Sequence, residues 1–401
     1  MPLTRAAGQT PGKKIRAMIV DDSASVRMAL TAILDADPDI EVIATAGDPF
    51  IAAQRLRKEV PDVIFLDIEM PRMDGLTFLR KIMAQRPIPV VICSTIAQAG
   101  SETFLEALAA GAVDIVPKPA VNTAQALQET GDHIRQVARA AAHARLRGRA
   151  SLPLADAGAA SEVAPAETRP TRAAPAPLVA ETKLTADAVL PAEPRTAAGR
   201  VPHTDPLVCI GASTGGTEAI LTVLESLTPD CPGIVIVQHM PERFTEAFAR
   251  RLDKLCAVAV KEAEHGDSVV PGRVLIAPGG HHLAVVRSGT RYTVKILDGP
   301  PVSRHRPSVD VLFRSAAQQA GGNALGILLT GMGDDGARGL LELRRAGGAT
   351  IAQDEDSSVV FGMPKEAIAR GAAGKVQPLG RMARDIMAHG HGRDDGRNSV
   401  R

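Results

Sequence analysis

Residues 207–220 read LVCIGASTGGTEAI. The apolar run Leu207-Val208-Cys209-Ile210 stops at glycines that surround one serine, Ser213. The run is short and β-branched, as suits a buried strand, and Gly215-Gly216 ahead of Thr217-Glu218-Ala219-Ile220-Leu221 suit a helix start. Ser213 is therefore expected on a strand-to-helix turn. There the free amide groups of the helix N-terminus offer the positive potential that a developing oxyanion needs. The glycines let the backbone bend sharply and approach a substrate. Gly211-Ala212-Ser213-Thr214-Gly215 also satisfies the G-x-S-x-G nucleophile-elbow pattern. A glycine-rich turn that binds phosphate, or only turns a corner, fits the same residues, and this stretch alone leaves both readings open.

Outward from that turn, the chain of 401 residues exceeds one ordinary core, so two domains are expected. The hydrophobic fraction of 45% is ample for globular packing. With 46 basic and 45 acidic residues the formal charge is +1, which argues for neither nucleic acid nor an anionic membrane as an obligatory partner. The four cysteines, Cys93, Cys209, Cys231 and Cys256, are far apart and mostly inside apolar runs, without a C-x-x-C pair. They read as small buried hydrophobes of a reducing compartment. No signal-peptide core opens the chain and no run reaches a membrane span, so a soluble, cytoplasmic protein is expected, without membrane insertion. No Trp, one Tyr and eight Phe leave few aromatics to stack on bases or sugars.

The N-terminal part alternates strand and helix patterns. IRAMIV at 15–20 ends in Asp21-Asp22 before a helical stretch from Ser23 to Ala36, and four more such units follow through residue 146. Five repeats predict a parallel, doubly wound sheet whose strand C-termini share one edge. Asp21, Asp22, Asp67, Ser94 and Lys118 all fall at that edge. Three carboxylates there repel one another unless a hard cation such as Mg²⁺ joins them. A cation beside a carboxylate, a hydroxyl and a lysine is what phosphoryl transfer to that carboxylate requires. Taken singly, each acid also fits a solvated loop end or a helix cap.

Val20-Asp21-Asp22-Ser23, Phe65-Leu66-Asp67-Ile68-Glu69-Met70-Pro71 with Met73-Asp74-Gly75, and Val116-Pro117-Lys118-Pro119 resemble the receiver domain of two-component response regulators. The resemblance implies that Asp67 is the phosphoacceptor. It implies that Asp21, Asp22, Asp67 and the Glu69 carbonyl hold Mg²⁺, that Ser94 is the switch hydroxyl and that Lys118 pairs with the phosphate. It also implies a cis peptide at Lys118-Pro119. Ile115 stands where many receivers carry a switch aromatic, so an aromatic rotamer switch is excluded there.

From about Arg147 to Pro206 the chain turns to Ala, Pro, Glu, Thr and Arg without a sustained apolar period. Such a stretch buries too little apolar surface to offset chain entropy and is expected to be a disordered, partly extended linker. Beyond it, Gly233-Ile234-Val235-Ile236-Val237 forms a second strand ending at Gln238-His239-Met240-Pro241, with Pro241 expected to start a helix over 242–255. Val274–Ala277, Leu283–Arg287 and Tyr292–Leu297 are expected as short strands of an antiparallel hairpin added to the sheet. A helix over 307–319 precedes a strand at 324–329, which ends in Thr330-Gly331-Met332-Gly333-Asp334-Asp335-Gly336.

Three strand ends thus carry Ser213, His239 and Asp334-Asp335, the parts of a hydrolytic triad. Histidine titrates near neutrality and can take the serine proton, while a carboxylate on its other nitrogen fixes the tautomer. Amides at the Ser213 turn or in the Gly331–Gly333 loop, with Thr214 and Met332 as the candidates, would serve the oxyanion. The chain order Ser, His, acid differs from the Ser, acid, His of α/β-hydrolases, so the elbow match does not carry that family with it. Arg304-His305-Arg306 reads as a solvated or anion-facing loop.

IGASTGGTEAI, VQHMP, RFTEAFARRLDKLC, RPSVDVLF, LLTGMGDDGA and FGMPKEA, together with the receiver, resemble the chemotaxis protein-glutamate methylesterases, the CheB family. The resemblance implies Ser213 as nucleophile, His239 as base and Asp335 as acid, with Asp334 a neighbour. It implies an α/β chain with a five-stranded parallel, flavodoxin-like receiver domain at 14–146 and a doubly wound, mostly parallel methylesterase domain at 206–390. A disordered tail at 1–13, the linker at 147–205 and a polar tail at 391–401 complete that division. It further implies hydrolysis of glutamate γ-methyl esters on chemoreceptors with release of methanol, deamidation of receptor glutamines, and activation by phosphotransfer from the chemotaxis histidine kinase. No cofactor is expected for the ester reaction itself. Two other readings stay open on the residues: a regulator with a binding-module output, and a hydrolase of small free esters.

Overall fold

The computed structural model describes residues 14–94, 102–119, 124–145, 183–192 and 204–391. Five strands, β1 (Ile15–Val20), β2 (Ile40–Ala46), β3 (Val63–Asp67), β4 (Val90–Ser94) and β5 (Asp114–Pro117), form a sheet in the order β2-β1-β3-β4-β5. Every pairing in it is parallel. The helices α1 (Ala24–Asp35), α2 (Pro49–Lys58), α3 (Gly75–Gln85), α4 (Glu102–Ala109) and α5 (Ala124–Ala142) cover both faces. That explains why β3 and β4 are apolar without alternation and wholly buried. Local chemistry starts the helices where the sequence predicts. Ser23 caps α1, Asp74 caps α3, and Asp48 accepts from the Phe50 and Ile51 amides with Pro49 at the start of α2. The order reverses at β1, so Asp21 and Asp67 meet at the switch point.

The C-terminal sheet has seven strands in the order β15-β14-β13-β6-β7-β10-β8, again all parallel. Its strands are β6 (Leu207–Ala212), β7 (Gly233–Gln238), β8 (Ala259–Glu262), β10 (Arg273–Ile276), β13 (Ala324–Leu328), β14 (Ala349–Gln353) and β15 (Lys375–Gln377). Val208 and Ile210 enter one core, Leu207 and Cys209 the other, as a strand covered on both faces requires. The helices are α6 (Gly216–Leu224), α7 (Phe244–Leu255), α8 (Val309–Gln319), α9 (Ala337–Arg345), α10 (Met363–Ala369) and α11 (Met382–His391). The chain winds from β6 toward β8 and then returns to β13, so the crevice beyond β6, β7 and β13 is the switch point.

Several expectations are corrected. The strand near Val274–Ala277 is no hairpin member: it is β10, buried among parallel neighbours, because Val274-Leu275-Ile276 is apolar without alternation. The antiparallel hairpin is β11 (His282–Ser288) with β12 (Arg291–Leu297), joined by β9 (Ser268–Val269) into a separate sheet. Pro241 does not start α7; its carbonyl accepts from Phe244, and Arg243 takes a left-handed conformation (φ 72°) before the helix begins. Part of the predicted disordered linker is ordered. Residues 183–192 contain a 3₁₀ turn, Ala186–Ala188, and Ala186 packs with Val302 and Val311. Residues 147–182 and 193–203, the expected tail 1–13, and the tail expected at 391–401 apart from His391, which ends α11, lie outside the described residues.

Candidate active site and phosphoacceptor pocket

Ser213 leaves β6 into a tight turn. Its amide donates to the Thr330 carbonyl at 3.0 Å and its carbonyl accepts from Gly216 N at 2.7 Å. Gly215 sits at φ 76° with Val359 against it, so the turn requires glycine. His239 follows β7, its amide bonded to the Ala212 carbonyl at 3.1 Å. The two strand ends are tied together by Gln238, whose Nε2 donates to the Ser213 carbonyl at 2.9 Å and the His239 carbonyl at 3.1 Å. Gly216 makes room for it, since a Cβ there would meet Gln238 Oε1 at 2.1 Å.

His239 Nε2 bonds Asp335 Oδ2 at 2.8 Å with both side chains buried. An ionised carboxylate only accepts, so Nε2 is the donor of this pair. Nδ1 has no hydrogen-bond partner among the described residues.

Asp335 is held by four donors. Ser308 Oγ (2.8 Å) and Asp310 N (3.0 Å) bond Oδ1, and Val309 N (2.8 Å) joins His239 on Oδ2. Burial alone would raise its pKa. The His239 hydrogen bond and the Val309 amide at the α8 N-terminus outweigh that and hold it at about 2. Asp334 points elsewhere and pairs with Lys183 and Arg370. Asp310 accepts from Gly336 N at 2.9 Å and Gly339 N at 2.8 Å, fastening the Asp335 loop to α8. Burial, with the Asp335 charge nearby, pushes Asp310 up to about 7.

Of the oxyanion candidates, Met332 follows Gly331, which stands against Ser213: a Cβ on Gly331 would meet Ser213 Cβ at 2.7 Å. The Thr214 hydroxyl is turned outward, donating to Asp114 Oδ2 at 2.6 Å.

His305 differs from its sequence reading. It is 8% exposed, and its ring stacks on His239 with centroids 3.7 Å apart and planes 9° from parallel. Its neighbours Arg304 and Arg306 do face solvent. The loop alternates inward and outward, which the charged flanks concealed. Burial, reinforced by His239, holds the His305 pKa well below the ordinary histidine range.

The receiver lies directly on this site. Met240 and Phe244 join the apolar cluster of the receiver that includes Leu108, Ala112 and Ile115. Arg145 bonds the Val359 carbonyl through its amide at 3.0 Å and Glu355 through Nη2 at 2.7 Å. Gln136 of α5 approaches His305 Nε2 at 3.4 Å. A cavity of about 10 Å³ remains between Val113, Asp114 and Ile115 on one side and Ser213 and His239 on the other. That is about the room of one water, too little for an ester side chain. Burial raises the Asp114 pKa to about 6 despite the Thr214 hydrogen bond.

At the receiver's own edge, Lys118 Nζ lies 2.7 Å from Asp67 Oδ2 and 3.0 Å from Asp21 Oδ2. Carboxylate oxygens of Asp21, Asp22 and Asp67 lie within 4.8 Å of one another. Three negative charges against one lysine suit a hard divalent cation. Burial raises the Asp67 pKa, with Lys118 opposing. The Glu69 amide donates to Asp67 Oδ1 at 3.2 Å while its side chain is exposed. Ser94 is buried at the end of β4. A Cβ on Gly75 would meet the Asp67 carbonyl oxygen at 1.9 Å, so glycine is required beside the pocket. Lys118-Pro119 is not cis; among the described residues the cis peptide is Arg306-Pro307. The Lys118 amide continues the β5 ladder onto the Ser94 carbonyl at 2.8 Å, which keeps the chain extended there.

Residues 208–386 match the CheB methylesterase family and residues 17–130 the response regulator receiver domain. A protein-glutamate methylesterase/protein-glutamine glutaminase of group 3 operon from Rhodopseudomonas palustris is 61% identical over 376 residues, covering 94% of this chain and 96% of the relative. Protein-glutamate methylesterase/protein-glutamine glutaminase 2 of Rhodospirillum rubrum is 61% identical over 379 residues, covering 94% and 99%. The CheB methylesterase catalytic domain of Thermotoga maritima aligns with 37% identity and a TM-score of 0.45, over 46% of this chain and 98% of that one. A receiver joined to a parallel α/β domain with paired serine and histidine strand ends defines a response regulator with a hydrolase output. The chain belongs to the protein-glutamate methylesterase/protein-glutamine glutaminase family, CheB.

Proposed function

We propose that this protein hydrolyses glutamate γ-methyl esters on the signalling helices of chemoreceptors, releasing methanol, and deamidates receptor glutamines at the same site. The observation that carries the reading is the buried His239–Asp335 pair, which occupies Nε2 and leaves His239 Nδ1 without a partner among the described residues, at the Ser213 turn. Ser213 Oγ attacks the ester carbonyl and passes its proton to Nδ1. The tetrahedral oxyanion is held by the Thr214 and Met332 amides, positions at the α6 N-terminus and beside Gly331. His239 then returns the proton to the departing methoxide, and methanol leaves an acyl-serine. Water, deprotonated by the same nitrogen, cleaves the acyl-serine to glutamate and restores Ser213. A glutamine follows the same path with ammonia as the leaving group.

The receiver is the regulator. Docked as described, it admits no substrate to Ser213; phosphorylation of Asp67 by a chemotaxis histidine kinase shifts the balance toward a released receiver. Asp21, Asp22, Asp67 and the Glu69 carbonyl would hold Mg²⁺, with Lys118 and Ser94 facing the phosphoryl group. When bound, the cation neutralises charge on the transferring phosphoryl oxygens. No helix among the described residues is long and apolar enough to cross a membrane, and we place the reaction in the cytoplasm, with the receptor's signalling helices.

The test is release of methanol from methylated receptor, and of ammonia from receptor carrying glutamine at the same positions. Wild type is expected to release both and Ser213→Ala neither. Equal release by the two chains would remove the assignment.

A further inference from the structure

Ten residues of the Ala/Pro-rich connection, 183–192, are built into the catalytic domain ahead of β6. Every part of the segment is engaged. Lys183 pairs with Asp334, the neighbour of the triad acid. The Leu184 carbonyl accepts from Ser303 N at 2.9 Å. Ala186, 3% exposed, packs on Val302 and Val311. Val189 covers Gly299, where a Cβ would meet its Cγ2 at 2.8 Å. Arg314 of α8, itself buried, bonds Asp187 Oδ1 at 2.8 Å and the Leu190 carbonyl at 3.0 Å through Nη1 while its other nitrogens clasp Glu342 of α9. Gln318 Nε2 donates to the Pro191 carbonyl at 2.9 Å.

What the segment grips is the back of the acid–base pair. Ser303 and Arg304 are consecutive non-glycine residues in the left-handed region, with φ of 51° and 70°. Side chains disfavour that conformation, and it persists only where neighbours impose it. The Leu184 carbonyl on the Ser303 amide is one such neighbour, and Asp310, bonded to Ser303 Oγ at 3.4 Å, is another. The turn they fix is closed by reciprocal Val302–His305 backbone bonds of 3.0 and 2.8 Å, and it delivers the His305 ring onto His239. On its other side the segment braces α8, whose first amides hold Asp335.

We propose that residues 183–192 are a positioning strap of the catalytic domain, which holds the Ser303–His305 turn and the start of α8 so that His305 and Asp335 fix the ring of His239. The proposal rests on the hydrolytic reading of Ser213. It moves the start of the catalytic unit from residue 206 to 183 and separates the connection into a tether and a strap.

The experiment uses the full chain, with a small-molecule phosphodonor present and active sites counted by a fluorophosphonate that labels Ser213. The strap variants are Asp187→Ala and the double variant Ala186→Glu with Asp187→Ala; Asp187→Glu is the conservative control, and deletion of 155–170 controls for tether length. The expected result is a kcat per labelled site about tenfold lower in the strap variants with KM unchanged, since small misplacement of a catalytic group costs on the order of 10–100-fold. Asp187→Glu restores most of it, and the tether deletion stays within about twofold of wild type. Wild-type kcat per labelled site in both strap variants overturns the strap. So does an equal loss in the tether deletion. Ser213→Ala, run alongside, separates the two claims: if it still releases methanol, the hydrolytic reading fails whatever the strap variants do.

Discussion

Thr214, the residue after Ser213, donates its hydroxyl across the domain boundary to Asp114 of the receiver at 2.6 Å. The same short stretch that would serve the oxyanion is therefore occupied, on its outer side, by the regulator. Loss of a buried hydrogen bond to a charged acceptor costs about 1.5–3 kcal/mol. Asp114→Ala should shift the docking equilibrium by about tenfold or more and raise methanol release without any phosphodonor. An unchanged basal rate would mean that this contact does not hold the receiver down.

Asp335 uses both oxygens as acceptors, for two donors each. Asparagine can accept on one side only. If its amide nitrogen faces His239, the ring must move its proton to Nδ1 and can no longer deprotonate Ser213; if it faces Ser308, two donors lose their acceptor. Asp335→Asn should lower kcat by on the order of 10³–10⁴ while leaving the labelled protein folded by circular dichroism. A loss under tenfold would argue against Asp335 as the orienting acid.

Gln238 bridges the Ser213 and His239 carbonyls through Nε2. Gln238→Leu keeps the volume but frees the two strand ends. The expected effect is a kcat about tenfold lower with KM little changed. A variant with wild-type kcat would show that β6 and β7 fix the spacing unaided.

Asp310 titrates at about 7 in the folded chain against an ordinary 3.8. A carboxyl whose folded pKa is raised contributes its full stability below the unfolded value and loses it as pH rises through the folded one. Asp310→Asn keeps an acceptor for the Gly336 and Gly339 amides without the charge. The melting temperature of the variant minus that of wild type should therefore increase between pH 5 and pH 8.5. A difference independent of pH would contradict the raised pKa.

Much of the fold was legible in the sequence because parallel strands buried on both faces read as apolar runs, and each candidate site residue at the two sheet edges stands at or just past the end of one. Asp21, Asp67, Ser94, Ser213 and His239 all stand so, and Asp335 lies a few residues beyond β13. Residues whose role depends on contacts distant in sequence gave no such signal. Gln238 is one polar residue at a strand end until Ser213, 25 residues earlier, is seen to be its partner. His305 sits between two solvent-facing arginines, and only the tight turn sends its ring inward. The strap has too few apolar residues for any periodicity; Ala186 and Val189 suffice because the surface they meet is already formed. Edge strand β8 buries only Val260, and α11 is short and flanked by polar residues although Met382 and Ile386 are spaced to share a buried face.

The most direct measurement is methanol release from methylated receptor by wild type, Ser213→Ala and Asp67→Ala, each with and without a small-molecule phosphodonor. The account predicts stimulation by the donor in wild type, an unstimulated basal rate in Asp67→Ala, and no release by Ser213→Ala under either condition. Equal release by all three chains, with or without donor, would contradict both the triad and its control by the receiver.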